Sequence, residues 1–224
     1  MCGDGPEMIR FQHPAACSQD EMARRAAAFG ELMVGRRSVR DFSGRPVPPA
    51  VIEDCLRTAA SAPSGANCQP WHFVAVGDPA VKARLRAEAE RVEREFYEKR
   101  APREWLSALA PLGTGPSKPF LEEAPWLIAI FVQTCALAPD GRRVRNYYPV
   151  KSVGIATGLL IAAMHQAGLA VLTYTPSPMT FLREVLGRPD NERPFLLLAV
   201  GRPADDARVP DITRKRLEEI STFL

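Results

Sequence analysis

Four short stretches of this sequence carry residue types that do chemistry. The first, "RVEREFYEKR" at 91–100, is mostly charge, yet it sets Phe96 and Tyr97 in its middle. Glu93 lies one helical turn before Tyr97, so an acid and a phenol share a face. Such a face can grip a polar ligand, and it equally suits a plain solvated helix. The second stretch, "RRSVRDF", gathers Arg36, Arg37, Ser38 and Arg40. Guanidinium forks beside a hydroxyl suit a phosphate, although basic clusters more often form solvated turns. The third is "APSGANCQPW". Gly65 has no side chain to block approach, so Ser64 to Ala66 can bring backbone N–H groups close to a ligand. A tight helix-to-strand turn is the alternative. The fourth, "LTYTPSP", ends an apolar run in hydroxyls. Strand alternation puts Thr173 and Thr175 on one side, to line a site or to cap the next turn.

Other chemistries are disfavoured. There is no GxSxG, HExxH or GxxxxGK[ST], and no GxGxxG, so any nucleotide is not held in the Rossmann manner. His13, His72 and His165 form no constellation, and structural or surface roles are expected for all three. The five cysteines are odd in number, and no pair has CxxC spacing. Neither a disulfide framework nor a metal site is indicated. A net charge of +3 without a long Lys/Arg block is too mild to argue for nucleic acid. No signal-peptide run and no window of membrane-span length is visible, so a reducing, cytoplasmic setting away from membranes is expected.

The elements that must position these residues follow from pattern. At 224 residues and 46% hydrophobic content, the chain suits a single domain over 1–224 with a real core. "SQDEMARRAAAFGELMVG" predicts a helix capped by Ser18 and closed by Gly35. A second helix covers "PPAVIEDCLRTAAS". "WHFVAVGD" reads as a strand, and "PAVKARLRAEAERVEREFYEKR" as a long helix with Leu85, Ala89, Val92 and Phe96 in one stripe. The following stretch to Ala124 is broken by prolines and glycines and reads as a lid. "PWLIAIFVQ" is a buried strand. "SVGIATGLLIAAMHQAG" is a nearly all-apolar, central helix, whose Gly154 and Gly158 permit close approach of another helix. Two more strands, "LAVLTYT" and "FLLLAVG", flank a short helix, "TFLREVL". The expected class is α+β.

"RRSVRDFSGRPVP", "APSGANCQPWHFVAV" and "LLLAVGRP", in that order, resemble the nitroreductase family of FMN enzymes. The resemblance runs from about Arg36 to the C-terminus. It implies a mixed central sheet flanked by helices, a domain-swapped homodimer and FMN at its interface. It also implies FMN contacts at Arg36, Arg37, Ser38, Val39, Arg40, Ser64, Gly65, Thr173, Tyr174 and Thr175, with Arg214 of "VPDITRKRL" joining at the phosphate. Thr175 would hydrogen-bond flavin N5, which favours one-electron steps over hydride transfer.

Within that family, "EREFYEKR", "PSKPFLEEAPWLIAIF", "DGRRVRNYY", "TYTP" and "VPDITRK" resemble the iodotyrosine deiodinase subgroup. The subgroup clamps a halotyrosine zwitterion with Glu, Tyr and Lys from a mobile lid, and Glu93, Tyr97 and Lys118 match that pattern. The implied acid serves the ammonium and the implied base the carboxylate. The Ala66 N–H would meet the phenolate. The expected lid spans 92–121, and 1–17 is expected to be a flexible terminus. The sequence departs from the subgroup at Asn67, where the subgroup has His, and at Tyr174, where the subgroup has Thr. The implied function is FMN-dependent reductive dehalogenation of halotyrosines, with electrons from NAD(P)H directly or from a separate reductase. A broad NAD(P)H nitroreductase, or the flavin-fragmenting enzyme of cobalamin-ligand synthesis, is the alternative enzyme. A flavin- or tyrosine-binding protein is the non-enzyme alternative.

Overall fold

The computed structural model describes residues 8–11, 13 and 17–224. The expected flexible segment 1–17 lies largely outside the described residues. The chain divides into two units, Met1–Gly35 and Arg36–Leu224.

The first unit holds α1 (Gln19–Val34). The Ser18 hydroxyl accepts from the Glu21 N–H at 3.3 Å, as its sequence position requires. Asp20 and Glu21 occupy the first turn, where the helix dipole favours acids. No α1 residue is buried, and Met22, Phe29 and Val34 are exposed.

The second unit is an α+β sandwich. Its elements are α2 (Pro49–Ala60), β1 (Trp71–Val76), α3 (Pro79–Glu95), α4 (Arg103–Leu109), α5 (Phe120–Glu123), β2 (Trp126–Gln133), β3 (Cys135–Leu137), β4 (Arg143–Arg145), α6 (Pro149–Gln166), β5 (Ala170–Tyr174), α7 (Thr180–Val185) and β6 (Glu192–Gly201). The main sheet has the order β1-β2-β6-β5, and its strands pair antiparallel throughout. Its parallel component is the isolated bridge between Ser38 and Val171.

Strand parity builds two cores. Leu127, Ala129 and Phe131 of β2, with Leu197 and Ala199 of β6, share a cluster with Leu85, Ala89 and Val92 of α3. Ile128, Ile130 and Val132, with Leu198 and Val200, share the other with Ile52 of α2 and Val153, Leu160 and Met164 of α6. Both faces of β2 are thus covered by helices, which is why "LIAIF" has no polar position. In β5 the same alternation sends Leu172 and Tyr174 to the α3 side and Val171 to the α6 side.

Three expectations change. The helix expected to run to Arg100 is α-helical only to Glu95, and Phe96–Arg100 form a wider π turn. The stretch expected to be a loose excursion carries α4 and α5. Helix α6 is central on one face only: Val150, Ile155 and Leu159 remain 59%, 48% and 36% exposed. A Cβ added at Gly154 or Gly158 would meet nothing within 4 Å. The β3–β4 hairpin was not expected, because its strands are only three residues long and β4, Arg-Val-Arg, lacks an apolar pattern. Among the described residues, no helix is long and apolar enough to cross a membrane.

Candidate active site

Helix α3 supplies one wall. Asp78 caps it by accepting the Val81 N–H at 2.9 Å, and Pro79 fits the first turn without losing a hydrogen bond. Its apolar stripe docks on the sheet and carries Glu90 and Glu93 beside it. Glu93 is buried at 8% exposure, far below what a solvated face would give. Lys118 comes from the segment before α5 and is 3% exposed. Its Nζ lies 3.1 Å from Glu93 Oε2. The Lys118 backbone N–H donates to Glu90 Oε1 at 2.8 Å, and its ammonium reaches Thr114 Oγ1 at 3.3 Å. The Tyr97 and Tyr174 rings lie 5.7 and 5.4 Å from Nζ, within cation–π range.

Burial pushes the Lys118 pKa down, against the opposing pull of Glu93. The Arg40 charge also lowers it. The Tyr174 hydroxyl donates to Glu93 Oε1 at 3.2 Å. Burial, and then the Glu93 charge, push its pKa well above the ordinary tyrosine range, so it stays a donor.

The expected lid is fixed at both ends. Val92 is buried in the core, and so are Phe120 and Leu121. Lys82 holds the second end by donating to the Glu122 and Ala124 carbonyls at 2.9 and 2.7 Å. Tyr97 is half-buried in the π turn and packs edge-on against Phe96.

A second constellation surrounds Arg36. Arg214 Nη2 donates to the Arg36 carbonyl at 2.9 Å, and Arg37 Nη2 donates to the Pro210 carbonyl. Burial lowers the Arg36 pKa, and the like charges of Arg214 and Arg37 lower it further. Tail and basic loop are therefore brought together although they stand at opposite ends of the unit. Ser38 bridges Val171 of β5, and Val39 packs against the α3-side core.

The loop at 64–69 is held by its own bonds. Asn67 and Cys68 donate to the Ser64 and Gly65 carbonyls at 3.0 and 3.1 Å, and the Gln69 N–H reaches Ser64 Oγ at 2.9 Å. Those bonds do not use the Ala66 N–H. Ala66, Asn67 and Gln69 have φ of 51°, 52° and 48°. Such left-handed non-glycine residues cost about 1–3 kcal/mol each and collect at functional sites. Gly65 is explained by the chain itself: a Cβ there would meet the Tyr147 carbonyl oxygen at 2.7 Å. At the end of β5, Thr173 and Thr175 are exposed while Tyr174 between them is buried.

With this geometry in place, the comparisons with known proteins are specific. The nitroreductase family profile matches residues 33–202. The chain belongs to the nitroreductase family. It is 54% identical over 196 residues to the iodotyrosine deiodinase of Haliscomenobacter hydrossis, covering 88% of each chain. It is 44% identical over 217 residues to human iodotyrosine deiodinase 1, covering 96% of this chain and 74% of the human one. A crystal structure of oxidised iodotyrosine deiodinase bound to FMN and 3-iodo-L-tyrosine superimposes with a TM-score of 0.74 at 31% identity. That match covers 87% of this chain and all of the other.

Within this nitroreductase-family fold, α3, the π turn after it and the segment before α5 bring Glu93, Tyr97 and Lys118 together. The tail meets the basic loop through Arg214 at the Arg36 carbonyl and through Pro210, whose carbonyl accepts from Arg37. Sequence reasoning missed Glu90 and Thr114 beside Lys118, and the contact of the Tyr174 side chain with Glu93. Glu90 lies one turn before Glu93 and was legible as a second acid on that face. Thr114 carried no signal.

Proposed function

We propose that this chain is an FMN-dependent reductive dehalogenase that converts halotyrosines to tyrosine and halide. The observation that carries this reading is the buried Glu93–Lys118 pair. A dry acid and base side by side match a zwitterion, whose ammonium and carboxylate need both. Nitroaromatics carry no such pair of charges.

The residues around Arg36 fit FMN. Burial first, and then the neighbouring charges of Arg214 and Arg37, disfavour the Arg36 cation, and a phosphate dianion would offset both. Arg36, Arg37, Arg40 and Arg214 would hold the phosphate, with Ser38 and Val39 alongside. Ser64, Gly65, Thr173 and Thr175 would border the rest of the cofactor, with Tyr174 doing so through its backbone, since its side chain turns to Glu93. Bound FMN supplies the two electrons that, with one proton, replace the carbon–halogen bond by carbon–hydrogen and release halide.

The protein's own part is to bind, orient and exclude water. Glu93 takes the substrate ammonium and Lys118 its carboxylate, with the Tyr97 hydroxyl bonding between them. The Ala66 N–H, outside the internal bonds of its loop, is the donor for the phenolate. The Thr175 hydroxyl is the donor to flavin N5. Between its fixed ends, the segment from Tyr97 to Lys118 closes over the ligand.

The working unit is read as a homodimer. The open α6 face, the exposed apolar residues of α1, and Tyr147 and Tyr148 at 54% and 67% exposure support it. The free thiols Cys17, Cys55, Cys68 and Cys135 support a cytoplasmic setting. Electrons arrive from NAD(P)H directly or through a separate reductase.

An anaerobic titration of the reduced flavoprotein with 3-iodotyrosine tests the reaction. One equivalent should reoxidise the flavin and yield equal amounts of tyrosine and iodide. Reduced flavin left unchanged by iodotyrosine would overturn the proposal.

A further inference from the structure

The two oxygens of Glu93 have different partners. Oε2 faces Lys118 Nζ at 3.1 Å, and Oε1 accepts from the Tyr174 hydroxyl at 3.2 Å. Tyr174 is 7% exposed, on the α3 side of β5, and its ring meets Phe120 edge-on at 5.6 Å. Its face follows from strand parity: Thr173 and Thr175 take the opposite face, so residue 174 faces α3, and the packing of α3 there brings Glu93 to its hydroxyl. The ring is gripped by core, and the hydroxyl is the one polar atom it offers there.

The geometry points to Tyr174 as a positioning residue that anchors the Glu93 carboxylate and thereby sets recognition of the substrate's amino-acid end. This rests on the halotyrosine reading above. When Lys118 turns from Glu93 to a substrate carboxylate, Glu93 loses its cation. A buried carboxylate stripped of every donor is costly. The hydroxyl of Tyr174 stays on Oε1 and keeps the carboxylate in place, and Oε2 is released to the incoming ammonium. Tyr174 does not touch the zwitterion in this scheme. It acts through Glu93, and its effect is confined to ligands that carry an ammonium.

Affinities of the FMN-loaded oxidised protein for 3-iodotyrosine and 2-iodophenol, measured by calorimetry, separate this from a packing role. Tyr174→Phe removes the hydroxyl and keeps the ring. The iodotyrosine-to-iodophenol affinity ratio should fall about tenfold, the scale of one hydrogen bond to a charged group. In a Glu93→Gln background the same substitution should change the ratio less than about twofold, because coupled residues are not additive. A ratio unmoved by Tyr174→Phe but lowered by Glu93→Gln overturns the role of Tyr174 and leaves the halotyrosine reading standing. Equal effects in both backgrounds also overturn it, since Tyr174 would then act through packing. A wild-type ratio near one overturns both readings.

Discussion

Glu93 and Lys118 neutralise each other across the site, Oε2 to Nζ at 3.1 Å, with both residues almost fully buried. Under the proposed function, substrate binding at such a pair would be an exchange of partners. The ammonium of the ligand would replace that of Lys118, and its carboxylate would replace that of Glu93. The self-pair lowers the net gain, but it also removes the cost of two lone buried charges before the ligand arrives.

Removing either charge should therefore harm binding more than loss of one surface ion pair would. Glu93→Gln and Lys118→Ala should each weaken halotyrosine binding by about 1.5–3 kcal/mol, ten- to a hundredfold. Flavin content should hold. Tyr97→Phe should have a smaller effect, since only a hydroxyl is lost. Fluorescence titration of the bound flavin measures all three. If both charge variants bind as the parent does, the Glu93–Lys118 pair is structural and the nitroreductase alternative takes over.

Arg214→Ala should loosen FMN about ten- to a hundredfold, the scale of one charge-assisted contact. The motive is its approach to Arg36, where its Nη2 donates to the backbone at 2.9 Å. Flavin retained on a desalting column reports it, and full retention would remove Arg214 from the phosphate site.

Thr175→Ala should keep FMN bound yet slow dehalogenation. Thr175 is exposed at the end of β5, with no packing role to lose. Loss of one neutral hydrogen bond is worth about 1 kcal/mol, roughly fivefold. Single-turnover kinetics under anaerobic conditions measure the step, and an unchanged rate places the N5 donor elsewhere.

The open α6 face predicts a dimer without a stable folded monomer. Val150, Ile155 and Leu159 are exposed on α6, and among the described residues a Cβ added at Gly154 or Gly158 would meet nothing within 4 Å. Sedimentation velocity should show one dimeric species down to low concentration. A flavin-bound monomer at high dilution contradicts this.

Acid should destabilise the sheet end through Glu192. Burial opposes its charge, but hydrogen bonds from Arg188 at 2.7 and 3.0 Å and from Gln133 at 3.2 Å outweigh it. Its carboxyl therefore titrates below the ordinary range. A depressed carboxylate contributes fully above its unfolded pKa, near 4.5. That contribution is lost as pH falls through the lower native value. Glu192→Gln should be less stable than the parent at neutral pH, with the gap closing as pH falls below the unfolded value and through the lower native one. Urea unfolding across that range checks it, and a constant gap refutes it.

Much of the fold was legible because its signals are local. Ser18 marks a helix start, the apolar runs of β2 and β6 mark covered strands, and alternation in β5 places Thr173 and Thr175 together. The arginine group and the Glu93–Tyr97 pair were visible as residues, but each kept a bland alternative until the tertiary structure placed its partner. Burial of Glu93 depends on how α3 rolls on the sheet, and the meeting of Arg214 with Arg36 depends on the path of the tail. Left-handed φ at Ala66 and the π turn at Phe96 are imposed by their surroundings, since neither residue type asks for them. Tyr174 shows the division most clearly. Its sequence neighbours fixed which face it takes, and only packing of α3 across that face put Glu93 within reach of its hydroxyl, because distances between elements are set by side chains far apart in the chain.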